Sequence, residues 1–241
     1  MNLKDKTALK KIQFYSTSSY SCGYIKNREA QSIVATPYNR INNEIYSDLI
    51  KKGFRRSGQY VYKPNCNECS ACTPIRICAE RFSISKNQKR AFRKTSPLSF
   101  KILPLEFKQD HYNLYVDYQN NRHRPQEGSE SDEDDYNDFL IKSNVSSKII
   151  EFRSEEKLKV VTIVDFIDDG ISAVYTFFDT KDKRKSFGTY SIIWLIEHCK
   201  KEKLKYLYLG YWIDECAKME YKTNFVPYEL LINDSWQEAS S

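Results

Sequence analysis

The spacing of the cysteines is the first feature of the chain that suggests chemistry. Cys66, Cys69 and Cys72 form a C-x-x-C-x-x-C pattern. Thiolates at this spacing lie together on one turn, and Cys22 or Cys78 could add the fourth ligand of a tetrahedral zinc ion or an iron–sulfur cluster. Three reduced structural cysteines are the alternative, and the pattern leaves both open. We expect Cys22, Cys66, Cys69 and Cys72 to be the ligands of any such structural metal.

Paired arginines are the second feature. Arg55 and Arg56 stand between two glycines in the segment from Gly53 to Gly58. Forked guanidinium donors on such a loop suit a carboxylate or a phosphate, although paired arginines on a loop are usually solvated. Arg76 joins them because Pro74 and the neighbouring cysteines are expected to hold it on a rigid turn. We predict that substrate-binding groups are among these three arginines.

Basic residues crowd the first half of the chain, whereas acidic residues gather in Glu127 to Asp138. The net charge of +6 and the pI near 8.8 favour an anionic partner. Phe82 and Phe92 stand among the basic residues, which is typical of a contact with an RNA backbone, and a solvated basic helix is the alternative. The predicted RNA-contacting residues are Lys86, Lys89, Arg90 and Arg93.

Gly188-Thr189, preceded by Lys183-Arg184-Lys185, reads as a helix start with free backbone amides. Such a start binds phosphate or simply caps the helix, so Gly188 and Thr189 are substrate-binding candidates.

No histidine adjoins a serine or cysteine motif, so covalent catalysis is unsupported. Attack by an amine on an activated ester fits better, because an α-amino group has a pKa of about 7.7 to 8.0. We expect this chemistry to require no cofactor.

The elements that must position these residues follow from periodicity and turn signals. We predict helices over Asn39–Lys52, Ser85–Lys94, Leu105–Asn121, from Gly188, and over Asp214–Lys222, and strands over Tyr60–Tyr62, Lys159–Phe166, Ile171–Phe178 and Lys205–Tyr211. Their order predicts an α+β fold, with the arrangement of acyltransferases of the GNAT type in the second half. We expect a small Cys-rich amino-terminal domain at 1–98, which also carries the basic segment, and a GNAT-like acyltransferase domain at 99–241.

The cysteine layout and the polar start of the chain favour the cytoplasm. Seven cysteines without dense, even spacing are typical of a reducing compartment. The stretch from Met1 to Lys11 is polar and lysine-rich, unlike a signal peptide, and no segment reaches membrane-spanning length. We therefore expect a cytoplasmic protein without a membrane partner.

Taken together, the motifs resemble one family, the bacterial aminoacyl-tRNA-protein transferases, also called aspartate/glutamate leucyltransferases and related to the eukaryotic arginyltransferases. The resemblance covers nearly the whole chain in order. The matching segments are Ser21-Cys22-Gly23-Tyr24, Gly53 to Gly58 on through Tyr62-Lys63-Pro64, Cys66 to Arg76, Ser85 with Gln88-Lys89-Arg90, Asp169 to Asp179, Gly188-Thr189-Tyr190, Leu209 to Ile213, and Cys216 with Lys218-Met219 and Tyr221-Lys222.

The resemblance implies an enzyme that transfers leucine from leucyl-tRNA to proteins beginning with Asp or Glu. The product would carry a bulky, destabilising amino terminus that the bacterial N-degron pathway reads for degradation. Eukaryotic arginyltransferases carry C-x-x-C at the first motif, whereas Ile25 follows Cys22 at that spacing here. This difference favours the leucyl-type subgroup and argues against an identical metal site.

We expect Arg55, Arg56 or Arg76 to pair with the acidic side chain of the acceptor, since an unpaired carboxylate is costly in an enclosed site. Tyr175, Asp179 and Tyr190 are the residues predicted to orient the amine and pass its proton.

Three alternatives remain at this point: arginine as the donor amino acid, an N-acetyltransferase with an acyl-coenzyme A at the Gly188 turn, and a metal-stabilised RNA-binding module.

Overall fold

The computed structural model describes residues 12–95, 97–122, 132–182 and 185–239. The architecture is α+β, as predicted. The strands are β1 (Gln13–Ser16), β2 (Tyr20–Ser21), β3 (Glu29–Ala30), β4 (Ser32–Thr36), β5 (Arg55–Ser57), β6 (Tyr60–Pro64), β7 (Thr73–Cys78), β8 (Ser99–Pro104), β9 (Ser147–Ser154), β10 (Lys157–Ile167), β11 (Gly170–Phe178), β12 (Tyr206–Trp212), β13 (Tyr228–Ile232) and β14 (Ser235–Glu238). The helices are α1 (Asn43–Lys51), α2 (Lys86–Thr95), α3 (Gln109–Arg122), α4 (Glu133–Tyr136) and α5 (Phe187–Lys201), with 3₁₀ turns at Tyr38–Arg40 and Glu220–Asn224 and a π turn at Asn137–Ile141.

A four-stranded antiparallel sheet in the order β1-β4-β6-β5 organises the first part of the chain. Helix α1 packs against it, because Ile45 and Leu49 recur at helical spacing and are buried with Ala35 and Val61. The Asn42 side chain begins the helix by accepting a hydrogen bond from the Ile45 amide at 3.0 Å. The predicted amphipathic helix is therefore confirmed.

An eight-stranded sheet in the order β14-β13-β7-β12-β11-β10-β9-β8 forms the larger part. Its neighbours are antiparallel except for β11 and β12, which run parallel and are joined by α5. The predicted hairpin is confirmed as β10 and β11, which turn at Asp168-Asp169. Helices α2 and α5 cover one face of this sheet, and α3 with the four-stranded sheet covers the other.

Strand β7 crosses from the first part of the chain into the larger sheet, where it lies between β12 and β13. The sequence analysis placed these residues in a cysteine-rich turn, and that was wrong because pairing on both sides makes them a central strand.

The predicted domain boundary between residues 98 and 99 stays a prediction, since β7 precedes this boundary in the chain but belongs to the larger sheet. No helix among the described residues is long and apolar enough to cross a membrane.

Candidate active site

The parallel strands β11 and β12 separate part of the way along their length. They pair only from Gly170 to Ser172 and from Tyr206 to Tyr208, although β11 continues to Phe178 and β12 to Trp212. Strand β12 is irregular between Tyr208 and Tyr211. The stretch beyond Ser172 and Tyr208, where the two strands no longer pair, is called the β11–β12 gap below. Unpaired backbone groups and side chains from both parts of the chain meet there.

Arg55 enters this gap from β5 of the four-stranded sheet. Its Nη2 donates a hydrogen bond to the Val174 carbonyl at 3.1 Å, and its guanidinium lies 5.7 Å from the centre of the Tyr211 ring. The same guanidinium packs on Gly210, where an added Cβ would lie 2.6 Å from Arg55 Cζ. Within the described residues, no carboxylate forms an ion pair with Arg55. A forked cation is thus available to an anion.

Arg56 is already paired inside the protein. Its Nη2 lies 2.7 Å from Asp165 Oδ1 and its Nε lies 2.8 Å from Asp165 Oδ2, with both side chains fully buried. Tyr46 and Ser147 also donate hydrogen bonds to this carboxylate, at 2.8 and 2.6 Å. The pair joins β5 to β10, so Arg56 holds the two sheets together. Its predicted contact with substrate is not supported, because Asp165 occupies the guanidinium.

Arg76 is engaged in the same way. Its Nη2 lies 2.6 Å from Glu229 Oε2, and its Nη1 donates to the Tyr208 hydroxyl at 3.0 Å. The guanidinium also stacks 3.5 Å from the centre of the Tyr206 ring. Glu229 already neutralises Arg76, so its predicted substrate role is not supported either.

Lys222 lies beside Arg55 and was not among the residues singled out as site residues. Its side chain is buried, and its Nζ donates a hydrogen bond to the Tyr211 carbonyl. Burial, and then the positive charge of Arg55, lower the pKa of Lys222 to about 7. Lys222 stands in one of the segments that carry the family resemblance, but only the fold brings it next to Arg55.

Two partly exposed tyrosines lie near Arg55. Tyr221 is 46% exposed and Tyr24 is 42% exposed, yet burial raises the pKa of both hydroxyls. The charge of Arg55 counteracts both shifts, which places its guanidinium near the two rings. Two aromatic side chains thus lie close to the Arg55 guanidinium.

Tyr175 follows Val174 on β11, so it lies next to the residue whose carbonyl holds Arg55. Burial raises the pKa of the Tyr175 phenol, and the Gln119 side chain donates to it at 3.4 Å. The phenol is thus a neutral hydroxyl near the gap, a group that can orient an amine. Its role in orienting the amine stays a prediction.

Asp179 and Tyr190 are placed less favourably. Lys159 Nζ lies 2.7 Å from Asp179 Oδ2. Burial alone would raise the pKa of Asp179, but the hydrogen bonds from Lys159 and from the Lys181 amide outweigh burial, so the pKa is lowered. A carboxylate held in this way is a weak proton acceptor. Tyr190 is buried and stacks 4.6 Å from the Phe92 ring, inside the core. The structure does not bring either residue to Arg55.

Gly188 and Thr189 lie in the first turn of α5, as predicted. The Ser186 side chain makes no capping hydrogen bond there. Helix α2 packs beside this turn, because its Phe92 ring stacks on Tyr190 of α5. A capping box begins α2: Gln88 Oε1 accepts a hydrogen bond from the Ser85 amide at 2.9 Å, and Ser85 Oγ accepts one from the Gln88 amide at 3.3 Å. The exposed face of α2 is a basic groove lined by Lys86, Lys89, Arg90, Arg93 and Lys94.

The four cysteines of the predicted metal site lie near one another. Burial, and then the neighbouring thiols of Cys66, Cys22 and Cys69, raise the pKa of Cys72 to about 11. Arg28 Nη1 donates to Cys69 Sγ at 3.4 Å. Across the described ranges, however, no group of three or more His, Cys, Asp or Glu side chains is arranged to hold a metal ion. A metal at these cysteines therefore stays a prediction.

Comparison of the sequence with known protein families identifies the family of this chain. Residues 20–90 match the family described as "Arginine-tRNA-protein transferase, N terminus", and residues 110–232 match "Arginine-tRNA-protein transferase, C terminus". The structure of L-PGS from Bacillus licheniformis is 15% identical, with a TM-score of 0.45 over 69% of this chain and 48% of that chain, a likeness too low to carry an argument.

Relatives in sequence are much closer. An aspartate/glutamate leucyltransferase from Methylobacillus flagellatus is 48% identical over 98% of this chain and 96% of the relative. Another, from Polynucleobacter asymbioticus, is 44% identical over 94% of each chain. The chain therefore belongs to the arginine-tRNA-protein transferase family, among relatives that carry the name aspartate/glutamate leucyltransferase.

Proposed function

We propose that the protein is an aminoacyltransferase that moves leucine from leucyl-tRNA to the α-amine of proteins beginning with Asp or Glu. The observation that carries this proposal is Arg55, a guanidinium without a carboxylate partner in the described structure, at the place where β11 and β12 no longer pair. The names of the relatives support the donor and the acceptor class. In bacteria the product would be degraded through the N-degron pathway.

The acceptor side follows from Arg55. An acidic side chain at the amino terminus can form two hydrogen bonds with a guanidinium, which also fixes its orientation. The α-amine of the same residue would then lie at a fixed distance from the gap. Tyr24 and Tyr221 beside Arg55 would pack against the neighbouring backbone of the acceptor. A neutral first residue would leave Arg55 unpaired and bind weakly.

The donor side follows from the opposite face of the eight-stranded sheet. The basic groove of α2 and the first turn of α5 lie together there, and both suit RNA phosphates. Donor and acceptor would thus reach the gap from two faces. We infer that the second half of the chain is a GNAT-like acyltransferase domain, and that a small Cys-rich domain precedes it in the chain. We place the protein in the cytoplasm.

The reaction itself requires little from the side chains. The neutral α-amine attacks the ester carbonyl of leucyl-tRNA, a C–N bond forms, and the ester C–O bond breaks to release the terminal ribose hydroxyl. The amine gives up one proton, and the ribose oxygen takes one. Tyr175 would orient the amine, and positioning would supply most of the acceleration.

Purified protein incubated with radiolabelled leucyl-tRNA or arginyl-tRNA, and peptides that begin with Asp, Glu, Lys or Ala, tests the proposal. We expect label only from leucyl-tRNA and only in peptides with an acidic start. Label from arginyl-tRNA would change the donor. No transfer from either, with acetyl transfer from acetyl-coenzyme A or equal binding of charged and uncharged tRNA, would replace the proposal with an acetyltransferase or an RNA-binding module.

A further inference from the structure

The four-stranded sheet has one buried face and one face with exposed tyrosines. Ala35, Val61 and Arg56 lie opposite one another on β4, β6 and β5, and all three are buried. Side chains alternate along a strand, so the sequence neighbours of these residues lie on the other face. Two residues of that face, Tyr15 of β1 and Tyr60 of β6, are each 58% exposed. This outer side of the sheet is called the tyrosine face below.

A row of side chains crosses the tyrosine face from the edge strand β1 to the candidate site. Tyr15 lies opposite Val34 of β4, and Val34 lies opposite Tyr62 of β6. Tyr62 in turn lies opposite Arg55 of β5, which donates a hydrogen bond to the Val174 carbonyl of β11. Adjacent strands lie about 4.8 Å apart, so this row is about 14 Å long, the length of about four residues of extended chain. The tyrosine face thus ends at the group proposed to bind the acidic side chain of the acceptor.

The charge of the tyrosine face indicates which kind of polymer it suits. Among the residues of these four strands, all of them described, Arg55 is the one charged side chain on this face. The other residues that share the face with the tyrosines and Val34 are Gln13, Ser32, Thr36, Ser57 and Pro64. RNA is held mainly through cations that contact its phosphates, so this face suits RNA poorly. Tyrosines among small hydroxyl residues are instead typical of surfaces that bind protein.

We propose that the tyrosine face binds the acceptor polypeptide downstream of its first residue. This inference rests on the proposed function, in which Arg55 pairs with the acidic side chain of that first residue. The acceptor chain then leaves Arg55 and passes over Tyr62 toward Tyr15, with about four residues on the face. Tyr60 flanks this path, and its ring is supported by Tyr38, whose ring centre lies 5.7 Å away. The basic groove of α2 lies on the opposite side of the eight-stranded sheet and stays free for the donor.

Contacts of this kind allow one enzyme to accept many different proteins. A tyrosine ring packs against the backbone and the aliphatic carbons of any sequence, and its hydroxyl can donate a hydrogen bond to any carbonyl. The face has no second charge that would select one downstream side chain over another. Recognition is then specific at the first residue of the acceptor and tolerant at the residues that follow.

The test compares acceptors of different length. Full-length protein is assayed with leucyl-tRNA and Asp-starting peptides of two, six and ten residues, whose later positions are uncharged. Tyr15→Thr and Tyr60→Thr each remove an exposed ring and keep a residue that favours strands. Phe14→Thr is the matched control, because Phe14 is 48% exposed on the same strand as Tyr15 but lies on the other face. Thermal unfolding of each variant is measured, so that a folding defect is seen separately.

We expect the wild type and Phe14→Thr to have a KM about 10-fold lower for the six-residue peptide than for the two-residue peptide, with little further gain at ten residues. Each tyrosine variant should raise the KM of the six-residue peptide about 3- to 10-fold, toward that of the two-residue peptide, with the KM of leucyl-tRNA unchanged.

A wild-type KM that does not depend on peptide length would overturn the inference and leave the proposed function standing. A length effect that survives in both tyrosine variants would do the same. If the variants raised only the KM of leucyl-tRNA, the face would bind RNA and the inference would be wrong. A wild type that transfers no leucine to any peptide would overturn the proposed function, and this inference with it.

Discussion

Arg55 lies directly on the backbone of Gly210, where a Cβ would stand 2.6 Å from Arg55 Cζ and Nε. Gly210 also has a φ of +73°, a backbone conformation that favours glycine. Gly210→Ala should therefore displace the guanidinium, destabilise the protein by about 1–2 kcal/mol, and raise the KM of acidic peptides. Urea unfolding and peptide kinetics measure both effects.

Gly23→Ala is the control for this variant, because no atom lies within 4 Å of a Cβ added there. It should behave like the wild type. If Gly210→Ala also kept wild-type kinetics, Arg55 would not need its present position.

Adjacent arginines should behave differently when each is replaced. Arg55→Ala removes a group without a described carboxylate partner, so it should leave the free energy of unfolding within about 1 kcal/mol and abolish the preference for acidic starts. Arg56→Ala leaves Asp165 buried and unpaired, which costs about 3–5 kcal/mol. Urea unfolding and transfer to Asp- and Ala-starting peptides separate the two. A preference for acidic starts that survives Arg55→Ala would contradict the assignment of the pocket.

Much of the fold could be predicted from local patterns. The helix at α1, the hairpin of β10 and β11 and the strand β12 are short-range features with clear apolar spacing, and the structure has all three. Strand β7 could not be predicted, because its pairing with β12 and β13 involves residues more than 120 positions away. The last predicted helix is instead a 3₁₀ turn at Glu220–Asn224, followed by the hairpin of β13 and β14.

The candidate site was predicted less well, for a physical reason. Sequence identified three arginines as equal candidates, but only the partners Asp165 and Glu229, distant in the chain, decide that Arg56 and Arg76 are occupied. Tyr190 has the residue type of a proton donor, yet its ring packs on Phe92 in the core. Lys222 gains its altered pKa from burial and from Arg55, neither of which is visible in its neighbours along the chain.

Lys222 should also affect stability in a pH-dependent way. Its pKa in the folded protein is about 7, below the ordinary 10.5, so the unfolded chain binds more protons between these values and stability rises with pH there. Lys222→Met removes this penalty, and we expect it to be more stable than the wild type by on the order of 3 kcal/mol at a pH of about 6. The difference should shrink as the pH rises toward about 10.

Urea unfolding of both proteins at several pH values checks this, since the other titrating groups cancel in the difference. Lys218→Met provides the control, with no change expected. A difference that stayed constant with pH would show that Lys222 keeps its ordinary pKa and is charged in the fold.

The basic groove of α2 should contribute to tRNA binding through charge alone. Lys89 and Arg93 are exposed and stand one helical turn apart, so their replacement by alanine should leave stability unchanged. Each lost phosphate contact should reduce the slope of log K against log salt by about 1 and weaken binding of charged and uncharged tRNA alike. Filter binding over a range of salt concentrations measures this slope. Lys203→Ala, an exposed lysine after α5 and outside the groove, is the control. Equal slopes for all three variants and the wild type would place the tRNA on another surface and leave the acceptor pocket as the only assigned half of the site.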